Sequence, residues 1–241
     1  MEPTENTDPS ELLKFNEMAR HWWDRSGVLK SLHDINPLRL DYINRHAGLK
    51  AKRVVDVGCG GGILSEAMAA EGARVTGIDM GLEALAVARA HLKGSGLHVD
   101  YYQGTAEAFS QKHPRAYDVV VCLELLEHVP NPASVVNACR KLVRPGGDVI
   151  FATLNRNPKS LLFAIIGAEY LLRLLPRGTH TYRKFIKPAE LDQWGRTVGL
   201  VPAHLTGMQY NPFARKYRLG GNVDVNYLMH FRCISENDNR Y

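Results

Sequence analysis

A short glycine-rich loop is the feature that most constrains what this chain can fold into. Asp56, Gly58, Gly60 and Gly62 occupy every second position at the end of a β-branched run at 53–57, and a helical stretch, ILSEAMAAEG, follows. Glycine permits tight turns and close backbone approach, and the first turn of a helix offers N–H groups and a partial positive charge. The pattern predicts a strand, a loop and a helix that together bind a small polar or anionic cofactor.

The spacing of the loop discriminates among cofactors. A dinucleotide loop would need glycine or alanine at position 63, which is Ile63, and a phosphate loop would need Gly-Lys-Ser/Thr, which is absent. Asp79 lies 21 residues after Gly58, where such folds place an acid that accepts hydrogen bonds from both ribose hydroxyls. A carboxylate also repels a 2′-phosphate, so the expected ligand carries an unphosphorylated ribose.

Short β-branched runs separated by helical stretches succeed one another after Lys52. These runs are apolar throughout rather than alternating, as expected of parallel strands covered by helices on both faces. We predict an α/β fold with a doubly wound, mostly parallel, Rossmann-like sheet of seven strands. Five are RVVDV, ARVTGID, LHVDYY, YDVVVCL and GGDVIFATL; after a helix at KPAELDQWGRTV and its flanks, GLVPAHLTG and NYLMHFRCIS add an antiparallel edge pair.

The chain length fits one large α/β domain, since 241 residues with 45% hydrophobic side chains can fill a core. Two N-terminal helices are expected as a lid, one capped by Ser10 and one opened by Asn36-Pro37. We predict a helical lid at residues 1–50 and a cofactor-binding core at residues 51–155. An apolar and basic helical insertion after the fifth strand is expected at residues 156–187, and C-terminal strands that complete the sheet at residues 188–241.

The cysteine spacing and the charge distribution indicate the cellular compartment and the kind of binding partner. The four cysteines lack the spacing of a zinc site or redox pair, and the N-terminus resembles neither a secretory signal nor a transit peptide, so the cytoplasm is expected. Basic and acidic side chains number 7 and 8 in residues 1–50, 10 and 11 in residues 51–150, and 13 and 6 in residues 151–241. The basic last third favours an anionic partner, nucleic acid or acidic lipid, unless it serves only solubility.

A cluster of ionisable residues follows the fourth predicted strand. Side chains at the carboxyl end of a strand line the ligand crevice of this fold, so Leu123 and Glu124 should lie beside the cofactor. The spacing i, i+3 and i+4 of Glu124, Glu127 and His128 predicts one face of a helical turn. Two carboxylates and an imidazole suit Mg²⁺ or Mn²⁺ better than structural zinc. The alternative is a capped helix start in which His128 is an internal hydrogen-bond partner.

The pattern D-x-G-x-G-x-G resembles the first motif of class I S-adenosylmethionine-dependent methyltransferases. Longer segments resemble, across essentially the whole chain, the bacterial ubiquinone biosynthesis O-methyltransferases. They are RHWWDRSGVLKSLHDINPLRLDYI, VVDVGCGGGILSEAMA, ELLEHVPNP, LVRPGGDVIFATLNRN, GAEYLLRLLPRGTH, KFIKPAEL and VDVNYL. The resemblance implies methyl transfer from S-adenosylmethionine to a ring hydroxyl of a polyprenyl catechol (3-polyprenylbenzene-1,2-diol) and of 3-demethylubiquinol.

The resemblance also implies roles for individual residues. The contacts with S-adenosylmethionine fall on Arg39, Gly58, Asp79 and Leu123, with Asp56 and Gly60 in the same loop. The positions of a divalent ion in related enzymes, expected to be Mg²⁺, fall on Glu124, Glu127 and His128. The guanidinium of Arg39 is expected to close over the methionine carboxylate in a bidentate pair.

Methylation of a phenol requires the phenolate, and the ordinary pKa of a phenol is ~10. A divalent ion bridging adjacent catechol oxygens would stabilise the anion as a Lewis acid. Alternatively, His128 would remove the proton as a general base. Glu124, Glu127 and His128 are therefore the candidate catalytic residues, and both mechanisms stay open.

An apolar stretch of 16 residues, SLLFAIIGAEYLLRLL, begins at Ser160 and is too short to span a bilayer, which needs ~20 residues. Seven Lys or Arg residues against one acid, Glu169, lie between Arg156 and Lys187. Because a polyprenyl substrate dissolves in the bilayer, we expect residues 159–187 to bind anionic lipid peripherally at the inner face of the membrane. The alternative is an inserted helix pair that caps the active site.

Two other functions compete with this one. A methyltransferase acting on nucleic acid, or on another small phenol, would share the cofactor site. However, no Asn/Asp-Pro-Pro-Tyr/Phe motif or Pro-Cys pair is present, so no nucleic-acid partner is expected. A non-enzymatic adenosine-binding module would leave the histidine–carboxylate cluster unexplained. The resemblance also allows membership of a ubiquinone-biosynthesis complex.

Overall fold

A computed structural model describes residues 6–160, 182–211, 214 and 216–234. The strands are β1 (Arg53–Val57), β2 (Arg74–Asp79), β3 (Val99–Gln103), β4 (Tyr117–Leu123), β5 (Val143–Leu154), β6 (Leu200–Asn211), β7 (Lys216–Leu219) and β8 (Asn226–Cys233). The α-helices are α1 (Pro9–Met18), α2 (Lys30–Ala47), α3 (Ile63–Ala70), α4 (Leu82–Ser95), α5 (Ala106–Lys112), α6 (Pro132–Leu142), α7 (described at Pro158–Ser160) and α8 (Pro188–Thr197).

The strands form one sheet in the order β3-β2-β1-β4-β5-β8-β6-β7. The first five in this order are parallel, and β8, β6 and β7 add antiparallel pairs at one side. The predicted doubly wound, mostly parallel fold is confirmed, but the predicted count of seven strands is wrong. The eighth is β7, which pairs only with the last four residues of β6, Met208–Asn211. Such a short edge strand leaves little apolar pattern in the sequence.

Both faces of the sheet are covered, which explains why its strands are apolar throughout. Along β4, Val119 and Val121 pack in a core shared with α2, α3 and α4, whereas Val120 and Cys122 pack in a core shared with α5, α6 and α8. Thus α3, which follows β1, and α6, which follows β4, lie on opposite faces. Because β1 and β4 are neighbours, a crevice opens between them at their carboxyl ends.

The two N-terminal helices begin at residues other than those predicted. The side chain of Asp8, rather than Ser10, caps α1, accepting the backbone N–H of Ser10 at 3.0 Å. Helix α2 begins at Lys30 and contains Pro37 in its interior, so the predicted start at Asn36-Pro37 is wrong. Burial of Ile35 in the core holds the preceding turn in the helix, so that tertiary packing outweighs the tendency of proline to open one.

The segment predicted to bind lipid lies largely outside the described residues. Most of the apolar stretch lies there too, at 161–181. Among the residues that the structure does describe, no helix has the length and apolar character needed to cross a membrane. The four cysteines are free and buried. The division of the chain at residues 50, 155 and 187 stays a prediction.

Candidate functional site

A cavity of about 1090 Å³ lies at the carboxyl ends of β1, β2 and β4. The glycine loop and Asp79 line it, together with side chains from α1 and α2. Phe15 and Leu125 are among its apolar lining residues. Pockets for drug-sized ligands measure about 300–1,000 Å³. The cavity therefore has room for a cofactor and part of a second molecule.

The glycine loop turns sharply between β1 and α3. Gly58 and Gly60 have φ angles of 78° and 51°, in the left-handed region that favours glycine. A Cβ atom on Gly60 would lie 2.2 Å from Cζ2 of Trp22. The neighbouring Trp23 donates its indole N–H to the Gly61 carbonyl at 2.9 Å. Two aromatic side chains that precede α2 thus hold the loop in place.

Asp79 ends β2 and faces the same loop. Its Oδ2 accepts the Gly60 N–H at 2.8 Å, and its Oδ1 accepts the Gly81 N–H at 2.7 Å. Burial raises the pKa of Asp79, and the hydrogen bonds from Gly81 and Gly60 oppose the shift. The carboxylate fixes the loop and also borders the cavity, as the predicted ribose contact requires.

Asp56 and Leu123 line the cavity from the ends of adjacent strands. Asp56 is buried and accepts a hydrogen bond from Ser65 Oγ, in the first turn of α3, at 2.6 Å. Burial raises the pKa of Asp56 to about 6, against the effect of the Ser65 hydrogen bond. Leu123 is buried as the last residue of β4. The structure thus brings the residues predicted to contact the cofactor, from the glycine loop and from both strand ends, together at one cavity.

A buried ion pair joins α2 to the loop that follows β4. Arg39 is 6% exposed and its guanidinium pairs with the Glu124 carboxylate. Asn226, at the start of β8, donates to the same Glu124 oxygen at 3.0 Å. Arg39 and Glu124 both line the cavity, so the pair lies where a ligand can reach it.

Glu127 is 2% exposed and is not among the residues that line the cavity. Its Oε2 accepts a hydrogen bond from Thr153 Oγ1 at 2.7 Å. Burial, followed by the neighbouring Glu124 carboxylate, raises the pKa of Glu127 well above its ordinary value. Glu127 is therefore a buried neighbour of Glu124 and does not itself line the cavity.

His128 is buried and lines the cavity. Its Nδ1 lies 2.9 Å from Oε2 of Glu11 in α1. The Phe15 ring meets the imidazole edge-on, with ring centroids 5.0 Å apart. A buried imidazole held in this way, beside a ligand cavity, is suited to proton transfer.

The carboxyl groups of Glu124 and Glu127 are neighbours, but the three predicted metal ligands do not form one cluster. Among residues 6–160, 182–211, 214 and 216–234, no three His, Cys, Asp or Glu side chains are grouped so as to hold a metal ion. The spacing argument assumed an α-helical turn, whereas Glu124 has a left-handed φ of 55° and Leu126–His128 form a 3-10 turn. The predicted common face is therefore wrong, and the donors as arranged do not fit a three-ligand Mg²⁺ site.

Sequence reasoning missed three contributors to the site: Glu11, Trp22 and Asn226. Glu11 is 117 residues from the histidine that it contacts, and Asn226 is 102 residues from its partner carboxylate. No local spacing signals such contacts. The double tryptophan did mark the family, but nothing in its pattern indicated contact with the glycine loop.

Comparisons with known proteins show which family the chain resembles. A family model described as a methyltransferase domain matches residues 31–205. The ubiquinone biosynthesis O-methyltransferase of Aromatoleum aromaticum is 60% identical over 225 residues, covering 93% of this chain and 96% of that protein. The enzyme of the same name from Sodalis glossinidius is 60% identical over 229 residues, covering 95% of this chain and 92% of that protein.

Solved structures share the fold at low sequence identity. The magnesium protoporphyrin IX methyltransferase of Synechocystis PCC 6803 with bound SAH has a TM-score of 0.65 and 17% identity, covering 91% of this chain and 94% of its own. The cyclase SpnF has a TM-score of 0.69 and 14% identity, covering 97% and 98%. These likenesses establish the fold alone, because one fold hosts different reactions.

The assignment of the chain rests on the family model and the relatives, which agree with each other. The model covers most of the length, and the relatives match at 60% identity over nearly their whole length. The prediction of a methyltransferase is confirmed. The chain belongs to the ubiquinone biosynthesis O-methyltransferases.

Proposed function

We propose that this methyltransferase moves the methyl group of S-adenosylmethionine to a ring hydroxyl of a polyprenyl catechol and of 3-demethylubiquinol. The observation that carries the proposal is a cavity lined by Asp79, Arg39 and His128 together with apolar side chains. The names of the relatives support a place in ubiquinone biosynthesis. A cytoplasmic location and membership of a larger ubiquinone-biosynthesis complex stay predictions.

The residues around the loop fit S-adenosylmethionine. Ribose hydroxyls would donate to the Asp79 carboxylate at the end of β2. The Nε atom of Arg39 is buried and has no hydrogen-bond partner among the described residues. Because an unsatisfied buried donor is costly, a methionine carboxylate bound there would supply a missing acceptor. It would then share the guanidinium with Glu124 or replace it.

We assign the role of general base to His128. Bound S-adenosylmethionine supplies a methyl group on a positively charged sulfur. The imidazole takes the proton from the phenol oxygen, whose ordinary pKa is ~10, and the oxygen forms a bond to the methyl carbon. The carbon–sulfur bond breaks with its electron pair passing to sulfur. Burial of His128 supports this role because few waters compete for the proton.

The His128→Ala variant tests the base directly. With labelled S-adenosylmethionine and a short-chain prenyl catechol, kcat should fall by a factor on the order of 10²–10⁴ while cofactor binding is unchanged. The matched control is His98→Ala, because the His98 side chain is 88% exposed and lies outside the cavity. EDTA should leave the wild-type rate unchanged.

Other outcomes of this assay have distinct meanings. A rate lost with EDTA and restored by Mg²⁺, with a near-normal His128→Ala variant, would overturn the base assignment in favour of a divalent ion held by Glu124 and Glu127. Cofactor binding without any transfer to the catechol would overturn the acceptor. Nucleic acid and other small phenols would then be assayed next.

The Gly61→Ala variant tests whether the loop is the cofactor site. An added Cβ would lie 2.2 Å from Cγ of Trp22, so the tryptophan or the loop must move. We expect S-adenosylmethionine to bind roughly 5- to 150-fold more weakly, since overpacking costs about 1–3 kcal/mol. Gly94→Ala is the control, because nothing lies within 4 Å of a Cβ there. Equal affinities for the two variants in calorimetry would place the cofactor elsewhere.

We also propose that residues 159–187 hold the enzyme on anionic lipid, where a polyprenyl substrate dissolves. The excess of basic residues supports this proposal. Three basic side chains in or beside the segment are paired with carboxylates: Arg156 with Glu190, Lys159 with Asp224, and Lys184 with Asp8. These pairs reduce the positive charge that is available to lipid headgroups.

Co-sedimentation with vesicles tests the lipid contact. The protein should pellet with phosphatidylglycerol vesicles at low salt and be released near 1 M salt, where the Debye length is ~3 Å. Arg183→Gln should weaken binding about fivefold, the equivalent of ~1 kcal/mol for one basic residue. Arg74→Gln, which removes an exposed arginine on β2, should not. No pelleting at low salt would refute the contact.

A further inference from the structure

A row of side chains crosses the antiparallel half of the sheet at the level of the cavity. Leu154 of β5 pairs with Asn226 of β8, which pairs with Met208 of β6. Directly opposed residues of antiparallel strands place their side chains on the same face of the sheet. All three residues line the cavity. The cavity therefore extends from the end of β5 toward the β6–β7 hairpin.

Two tyrosines line the cavity from the hairpin itself. Tyr210 lies two residues after Met208, and therefore on the same face of β6, and it pairs with Tyr217 of β7. Their ring centroids are 4.8 Å apart. Strand β7 packs against α2, and Ile35 of α2 shares a hydrophobic core with Met208 and also lines the cavity. Ile35, Met208, Tyr210 and Tyr217 define an apolar passage between α2 and the hairpin, here called the hairpin passage.

The hairpin passage begins beside the proposed reaction site. Asn226, which neighbours Met208 in the row, donates to the Glu124 carboxylate at 3.0 Å. In the strand order β4-β5-β8-β6-β7, β7 lies four strands from β4, or ~19 Å at ~4.8 Å per strand. Asp79, the proposed ribose contact, ends β2 on the opposite side of β4. The passage therefore leads away from the cofactor and ends at the edge of the sheet.

We propose that the hairpin passage binds the first isoprene units of the polyprenyl acceptor, and that Tyr217 is a specificity-determining residue for this chain. An isoprenoid chain has no hydrogen-bonding group, so burial against aliphatic and aromatic side chains is what stabilises it. With the ring hydroxyl at His128, the chain crosses Met208 toward the edge of the sheet. No bond forms or breaks in the passage. The inference rests on the proposed function, because it places the chain of the acceptor named there.

The Tyr217→Ala variant tests the contact with the chain. Methyl transfer is measured with catechol and with catechols that carry one or two isoprene units at position 3. In the wild type, kcat/KM should rise with chain length. In the variant, the ratio of kcat/KM for the two-unit acceptor to that for catechol should fall about tenfold. Tenfold is ~1.4 kcal/mol, the worth of ~55 Å² of lost apolar contact at ~25 cal/mol per Å².

Tyr102→Ala is the matched control, because Tyr102 is an exposed tyrosine on β3, at the opposite edge of the sheet, and lies outside the cavity. Its ratio should equal that of the wild type. The same ratio in Tyr217→Ala would refute the proposal. A wild type that methylates all three acceptors with one kcat/KM would also refute it and leave the proposed function intact, whereas a wild type that methylates none would overturn the proposed function.

Photo-crosslinking of the wild-type protein locates the chain without any variant. A two-unit prenyl catechol with a diazirine at the end of its chain should label Met208, Tyr210 or Tyr217 on irradiation, as read by mass spectrometry. An excess of the unmodified prenyl catechol should prevent the labelling. Label found only on residues outside the β6–β7 hairpin would refute the proposal, even if Tyr217→Ala did not fold or no methyl transfer was detected.

Discussion

The pairing of β1 with β4 is the constraint on which the site depends. The two strands run parallel as neighbours, but the chain leaves them for opposite faces of the sheet, toward α3 and α6. Neither connecting helix can cover the point of divergence, so a crevice forms at the carboxyl ends. The glycine loop leaves β1 there, and Glu124 leaves β4. Both must adopt left-handed backbone angles to turn at that point.

The residues before β1 contribute side chains to the site that the strands of the sheet do not. The strand ends contribute carboxylates, whereas Arg39, the aromatic clamp on the loop and the carboxylate beside His128 come from residues before β1. Arg39 is buried against Glu124, an arrangement whose desolvation cost is offset only by good pairing and further hydrogen bonds. The hydrogen bond from Asn226 is one of these. The proposed contact of Arg39 with the cofactor would therefore link cofactor binding to the docking of α2 through one guanidinium.

The sequence predicted which residues lie close together when they are near in the chain or when the strand–helix–strand unit fixes their spacing. The glycine loop is a local signal, and Asp79 follows it at the spacing that the unit imposes. The common helical face expected for Glu124, Glu127 and His128 is not formed, because Glu124 is left-handed and a 3-10 turn follows in place of the assumed α-helix. Glu11 could not be predicted, since only tertiary packing brings α1 to His128. Tertiary packing also explains why Pro37 lies inside α2 rather than at its start.

The central claim is that the crevice between β1 and β4 holds S-adenosylmethionine between Asp79 and Arg39. A crystal structure of the complex with S-adenosylhomocysteine tests it most directly. The account predicts both ribose hydroxyls within hydrogen-bond distance of the Asp79 carboxylate, and the amino-acid carboxylate on the Arg39 guanidinium. A ligand bound away from Asp79, with its carboxylate on another residue and the contact between Arg39 and Glu124 intact, would contradict it.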